Sequence, residues 1–303
     1  MRADRTKQKN KWLRITGIIV LLLAVSLGAY LFTVYKSLTS AVETMQEPIE
    51  RETRPIKFDN REPFTVLMLG VDEREGDRGR SDTIIALTVN PEKNSIKMLS
   101  IPRDTRTEIV GRGTEDKINH AYAFGGVEMS MDTVENFLDI PIDYYLKMNM
   151  EGFQEIVDAV GGITVNNDLE FTEGSFHFAK GNIELNGREA LAYVRMRKQD
   201  PEGDFGRQKR QRQIIQGIIK KGASVGSLTK FDDIFAALGN NVKTNISFED
   251  MVDIQSNYKS AAGNIEQMRI ESAGTTIGGI YYGVVSSEEQ QRVQNELKTH
   301  LGI

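Results

Sequence analysis

The sequence predicts an α/β domain of three layers, α-β-α, around a central mixed sheet and preceded by one N-terminal transmembrane helix. Three observations carry that prediction. Short apolar runs rich in β-formers, ended by Gly, Asn or Pro, have the pattern of strands covered on both faces. Amphipathic helical segments alternate with them and follow them. Ahead of both lies an uncharged stretch of 21 residues, Ile15 to Tyr35. At about 1.5 Å per residue it matches a hydrocarbon core of roughly 30 Å.

The order of elements follows from local signals. Residues 1–14 form a basic arm, with Arg2, Arg5, Lys7, Lys9, Lys11 and Arg14 against Asp4 alone, and after Lys36 no Lys or Arg occurs until Arg51. That asymmetry predicts a single-pass membrane protein with a cytoplasmic N-terminus and an extracytoplasmic remainder. A cleaved signal peptide is the competing reading, with Ser26 and Gly28 as a weak cleavage site, but the apolar run continues through Leu31, Phe32 and Val34. Both readings export the domain. Residues 36–62, with Pro48 and Pro55 and no clear period, read as a frayed helix and then an extended stalk.

The domain proper is placed at 63–303. Phe64 to Gly70 is a fully buried strand, and Asp82 to Asn90 and Asn94 to Ile101 are two more, joined by a turn at Asn90-Pro91-Glu92-Lys93-Asn94. A helix at Asp132 to Leu138, a strand at Ile142 to Met148 and an amphipathic helix at Met150 to Val160, closed by Gly161-Gly162, come next. Further helices are predicted at Asn186 to Tyr193, from Phe205 to Lys221, and near Phe231 and Ser247. Strands at Ile265 to Glu271 and Thr276 to Val284 precede a last helix, begun by a capping box of Ser286 and Glu289.

Composition narrows the function. The formal charge of −5 becomes −10 once the basic arm is set aside, which disfavours nucleic acid as a partner. With no cysteine there are no disulfides, no thiolate metal sites and no acylated anchor. His120, His177 and His300 are isolated, so a zinc hydrolase is not indicated. Neither Gly-x-x-x-x-Gly-Lys-Ser/Thr nor Gly-x-Gly-x-x-Gly occurs.

The remaining chemistry lies at strand ends. A charge-dense loop runs from Gly70 to Asp82, and the third strand ends in Ser100-Ile101-Pro102-Arg103-Asp104. A third cluster is Tyr193-Val194-Arg195-Met196-Arg197, followed by Asp204, Arg207, Lys209, Arg210, Gln211 and Arg212. If Tyr193 to Arg197 is extended, Arg195 and Arg197 share a face. On the following helix Arg207 and Gln211 are i and i+4, with Asp204 one turn earlier. Carboxylates at Asp72 and Asp82 with arginines from separate segments point to a metal-bound pyrophosphate, since hard oxygen ligands suit Mg²⁺ or Mn²⁺ and guanidinium forks grip phosphate oxygens. Pairing of these arginines with the domain's own acids is the alternative.

Taken together, GVDEREGDRGRSDT, SIPRDT, KINHAYAFGG, VDAVGGI, the run from Gly181 to Arg197 and the D-x-x-R-x-x-R-Q run from Asp204 resemble the LytR-CpsA-Psr family, in order and from about Phe64 to Lys221. The resemblance implies a phosphotransferase that moves an anionic glycopolymer, wall teichoic acid being the expected one, from a polyprenyl-pyrophosphate carrier to a peptidoglycan sugar hydroxyl. It makes Asp72 and Asp82 the Mg²⁺ carboxylates. Arg80, Arg103, Arg195, Arg197, Arg207 and Gln211 become the pyrophosphate clamp, with Asp72, Arg103 and Arg207 closest to the reaction. Asp72 is the first candidate for general base, Asp204 is expected to orient Arg207, and Lys117 and Asn119 belong to a motif of either structural or functional purpose. The carrier's tail needs an apolar groove, for which the helix face of Phe153, Ile156, Val157 and Val160 is a wall or an ordinary core face. A module that only binds polyprenyl pyrophosphates, and a pyrophosphatase, are the other functions to be distinguished.

Overall fold

The computed structural model describes the chain except residues 1, 73–78, 225–237 and 240, and except the side chains of residues 2–17, 19, 31, 34, 38 and 41 of the first helix. The helix expected near Phe231 lies outside the described residues. Six strands form the central sheet in the order β11-β6-β1-β2-β3-β12. These are β1 (Phe64–Val71), β2 (Ser81–Asn90), β3 (Ser95–Ile101), β6 (Tyr144–Met148), β11 (Val242–Thr244) and β12 (Ile265–Arg269). The pairs β1/β6 and β3/β12 are parallel, and β1/β2, β2/β3 and β11/β6 are antiparallel, so the sheet is mixed as expected. The β2–β3 turn is locked by Asn90, whose Oδ1 accepts from the backbone of Glu92 and Lys93.

Strand alternation builds the layers. Leu67 and Leu69 of β1, with Ile84, Ala86, Leu99 and Ile101, face α2 (His120–Leu138) and α7 (Ser287–Leu301). Phe64 and Val66, with Ile85, Leu87, Ile96 and Met98, face the other way, toward Ile215 of α5 (Asp204–Ser224) and Ile254 of α6 (Phe248–Asn257). A sheet apolar on both faces must be covered twice, and it is. A smaller core packs α3 (Met150–Ala159), α4 (Gly187–Arg195) and the lower part of α5 on the hairpin pairs β7 (Ile163–Asn167) with β10 (Gly181–Leu185), and β8 (Phe171–Glu173) with β9 (Phe176–Phe178).

Several expectations need correction. The segment Tyr193 to Arg197 is not extended: α4 runs on through Arg195, because Asn186 and Glu189 form a reciprocal capping box and Ala190, Leu191, Tyr193 and Val194 bury at helical spacing. The helix then ends against α5, where Arg210 donates to the carbonyls of Tyr193 and Met196. Helix α2 begins at His120 rather than Asp132, with a break at Gly125-Gly126, the glycine pair that hid it. Thr276 to Val284 is not one strand but a hairpin, β13 (Ala273–Ile277) and β14 (Ile280–Val284), turned by Gly278 and Gly279 at φ of 57° and 82°. At the last helix Ser286 Oγ accepts from Glu289 N, but the Glu289 carboxylate accepts from Glu271 N and Arg292 instead of closing the box. A further hairpin, β4 (Arg106–Ile109) with β5 (Thr114–Lys117), has no apolar alternation to announce it.

The N-terminal helix α1 runs from Arg2 to Met45. Among the described residues it is the one helix long and apolar enough to cross a membrane, and its exposed apolar side chains include Leu21, Leu22, Leu23, Val25 and Phe32. Its far end docks on the domain: Val42 and Met45 are buried, and Tyr35 meets Phe248 edge to face. The following stretch, 46–62, does not stand clear as a stalk. Glu47 N donates to Thr244 O at 2.9 Å, Arg51 pairs with Glu135 at 2.6 Å, Arg54 pairs with Asp143 at 2.7 Å, and Phe58 is part of the core. Buried Asp143 and Tyr145 supply the reason, since each needs a partner from this segment.

Candidate functional site

The C-terminal ends of β1 and β3 and the start of β2 lie at one end of the sheet, and charged side chains gather there. Gly70 pairs with Thr83 and Val71 with Ser81, which leaves Asp82 as the extra residue of a β-bulge. Bulges re-aim side chains at sheet ends. A Cβ on Gly70 would lie 2.9 Å from Thr83 Cβ, so only glycine allows this close approach of the two strands.

Asp82 Oδ1 accepts from Arg103 Nη1 at 2.9 Å, while Arg103 Nε lies 3.7 Å from Asp104 Oδ2. From α5, Gln211 Nε2 donates to Thr83 Oγ1 at 2.9 Å, fixing the helix against β2. One turn away Arg207 Nη2 stands 2.6 Å from Asp204 Oδ1, and Arg197 Nε reaches the same oxygen at 4.0 Å. A small cleft lined by Asp82, Thr83, Arg103, Asp204, Arg207 and Gln211 results.

The electrostatics of the cleft are unbalanced in a specific way. Burial holds the Arg207 guanidinium below its ordinary pKa, and the nearby Arg103 and Arg197 add to that against Asp204 and Asp82. Its Nε is buried with no hydrogen-bond partner. Burial also acts to lower Arg103, but Asp82, Asp104 and Asp204 outweigh it and raise the pKa. An unpaired buried donor costs about 1–3 kcal/mol, which an anion in the cleft would recover.

The fold thus brings together Asp82, Arg103, Arg207, Gln211 and, at the rim, Arg197. Asp72 ends the β1 side of the loop and is exposed; Arg80 and Arg195 are exposed and make no ion pair among the described residues. On α3, Val157 is fully buried in the smaller core, whereas Phe153, Ile156 and Val160 are half-buried between that core and a cluster of Met148 and Val242. Lys209, Arg210 and Arg212 of the basic run do not enter the cleft lining. Lys209 pairs with Asp168. Arg210 is buried against Asp200, and Arg212 donates to Ser100 and Gln267.

For a divalent cation the expected donors would be Asp72 and Asp82; no cluster of three or more metal-type side chains occurs among the described residues. One or two carboxylates completed by phosphate oxygens and water is the usual coordination of Mg²⁺, so these two residues fit a cation bound jointly with a diphosphate.

Sequence reasoning missed a second layer behind Arg103. Lys117 Nζ sits 2.6 Å from Asp104 Oδ1, Asp116 Oδ2 lies 2.7 Å from His120 Nδ1, and Tyr282 Oη donates to Asp116 at 3.3 Å. The KINHAY run was the signal for the first two. Nothing in the sequence linked it to Tyr282.

Comparison with known proteins identifies the family. The model of the LytR_cpsA_psr family matches residues 31–299. The polyisoprenyl-teichoic acid–peptidoglycan teichoic acid transferase TagU of Bacillus subtilis strain 168 is 51% identical over 304 residues, covering 99% of both chains. Among solved structures, B. subtilis TagU superposes with a TM-score of 0.66 at 53% identity, covering 79% of this chain and 97% of that one. The structure of TagT bound to LIIa-WTA superposes at 0.72 with 32% identity, covering 85% and 97%.

Proposed function

Since the chain belongs to the LytR-CpsA-Psr family, we propose that it is a membrane-anchored transferase of cell wall biogenesis, moving a teichoic-acid-type glycopolymer from a polyprenyl-pyrophosphate carrier to a peptidoglycan hydroxyl. The observation that carries this reading is the convergence of Asp82, Arg103, Arg207 and Gln211 from three separate segments on one cleft, with the Arg207 Nε donor left unpaired. Such an arrangement matches a diphosphate, since Gln211 fixes the helix against β2 while the Arg207 Nε donor stays unused by the fold.

In the proposed reaction the acceptor hydroxyl oxygen attacks the phosphorus that bears the glycopolymer. The bond from that phosphorus to the bridging oxygen breaks, and polyprenyl phosphate leaves. Arg103 and Arg207, with Arg197 at the rim and Arg80 and Arg195 closing on the bound substrate, stabilise the charge that develops on the phosphoryl oxygens. Each well-placed donor of this kind contributes about 3–4 kcal/mol. Asp204 keeps Arg207 in place. Asp72 takes the hydroxyl proton. Asp72 and Asp82 would also hold Mg²⁺ or Mn²⁺, which supplies neutralisation of the diphosphate. The half-buried face of Phe153, Ile156 and Val160 is assigned to the prenyl tail, and Val157 supports it from the core side.

The test uses the full chain in detergent with a polyprenyl-pyrophosphate-linked glycopolymer, Mg²⁺ and peptidoglycan. Glycopolymer joined to peptidoglycan, with one polyprenyl phosphate released per linkage, is the expected result. Retention of unreacted carrier would leave only a binding module, and release of phosphorylated polymer into water would make the protein a pyrophosphatase.

A further inference from the structure

Among the described residues the hairpin β13–β14 is a markedly exposed element outside α1, and it is joined to the segment that follows Arg103. Every residue of β13 is exposed, while Tyr282 and Gly283 of β14 are buried where they meet the body of the domain. Gly283 N donates to Asp104 O at 2.8 Å, and Thr105 bridges to Gly283. Tyr282 donates to Asp116, with Lys117 Nζ 5.9 Å from its ring. The hairpin is therefore pinned to the residues that directly follow Arg103.

Its two faces differ. Ile277, Ile280, Tyr282 and Val284 alternate onto one face and Gly274, Thr276, Tyr281 and Gly283 onto the other. On the second face a Cβ on Gly274 would lie 2.7 Å from Tyr281 Oη and 2.9 Å from its Cε2, so this edge of the ring covers the Gly274 backbone. The phenol is 55% exposed, and its outer side is open. Thr276 and Tyr281 form the open end of this face, with Gly274 beneath the ring, whereas Gly283 is buried against Ser272 and Asp104. Tyr281 is two residues from Gly283 along the strand, about 7 Å.

The composition identifies the occupant. From Ser272 to Ser287 no residue is charged, in a chain that is 27% charged. An anionic polymer finds no cation there, and a membrane surface finds no basic residue. A neutral chain of sugar rings, with apolar C–H faces and hydroxyl or amide edges, matches an exposed tyrosine ring beside a threonine. Sheet order agrees. The hairpin follows β12, at the edge opposite β11, where α1 docks, and five strand spacings separate the two edges by about 24 Å.

We infer that the Thr276–Tyr281 end of this hairpin face is the acceptor subsite, on which a peptidoglycan glycan strand stacks a sugar ring over Tyr281, near the segment that follows Arg103. The inference rests on the transferase reading but names a surface distinct from the diphosphate cleft. It is tested on the full chain in detergent by calorimetric titration with chitohexaose, an uncharged β-linked N-acetylglucosamine oligomer, and separately with geranylgeranyl diphosphate. Wild type is expected to bind both. Tyr281→Ala and Gly274→Ala, the second of which displaces the ring without removing it, should weaken chitohexaose binding at least tenfold. Tyr281→Phe should stay within about twofold, and diphosphate binding should be unchanged in all three. Circular dichroism confirms the fold, and the Tyr281→Phe/Tyr281→Ala pair decides the matter if Gly274→Ala misfolds. No binding of chitohexaose by wild type, equal binding by Tyr281→Ala, or loss of self-association or of lipid-vesicle binding in its place would overturn the assignment. Glycan binding retained by a protein that transfers nothing would count against the transferase reading alone.

Discussion

The arginines show how differently one residue type behaves within a few positions. Asp82 and Arg103 pair while both remain partly open to water, so removing either leaves a partner that solvent can reach. Arg103→Ala and Asp82→Ala should therefore change stability by no more than about 1 kcal/mol while lowering turnover by at least about a hundredfold; urea melts and a transfer assay on the same preparations check both halves. Arg210 is the opposite case, buried with Asp200 and bound to two helix-end carbonyls. Arg210→Ala should cost about 3–5 kcal/mol in a urea melt and release the segment that carries Arg195 and Arg197. From the sequence, Arg207, Arg210 and Arg212 are equivalent members of a basic run. Periodicity correctly grouped Arg207 with Gln211 and Asp204, because i, i+3 and i+4 are geometric facts of any helix. It gave no means of knowing which stripe faced the cleft, since that depends on α4 ending against α5.

Among the elements, those with strong apolar period were legible and those made of exposed or glycine-rich stretches were not. β1, β2, β3 and α3 declared themselves by runs of buried side chains. The β4–β5 pair, made of Arg106–Ile109 and Thr114–Lys117, buries only Thr107 and Ile109 and has no pattern to read. The last helix offers a prediction of its own. His300 on α7 is buried, with Nδ1 2.7 Å from Thr88 Oγ1 and Nε2 2.9 Å from Ser95 Oγ, so one ring nitrogen donates and the other accepts. Burial, helped by Lys93 and Lys97, lowers its pKa to about 4. Above the ordinary value of about 6.5 both folded and unfolded forms are neutral, and stability is full. As pH falls from 6.5 the unfolded chain takes a proton that the folded one refuses, and stability is lost until about pH 4, roughly 3 kcal/mol in all. A series of urea melts between pH 7 and 4 should show that loss, and His300→Gln should flatten it.

For the whole molecule, the long apolar N-terminal helix and the α-β-α body were both readable, but not the way they join. Proline and mixed charge made 36–62 look like a free spacer, because the carboxylate that captures Arg54 lies 89 residues further on and leaves no local trace. Asp143 is buried and also accepts from Thr65, so Arg54→Ala should destabilise the domain by about 2–3 kcal/mol, somewhat less than breaking a fully buried pair. A soluble domain begun at Asp59 loses both this pair and Phe58. Its melting temperature should fall more than about 10 °C below that of a domain begun at Gln46, by differential scanning calorimetry.

That docked segment also determines how far the protein can search. Left free, the 17 residues from Gln46 to Glu62 would let the body wander through roughly 20–25 Å. Bound down along their length, they remove that play, so with α1 as the proposed anchor the cleft would sit at one altitude above the bilayer. On the proposed function, copies in the same membrane would then work a thin shell of wall, and new polymer would be laid down in a layer whose depth is written in the junction between helix and body.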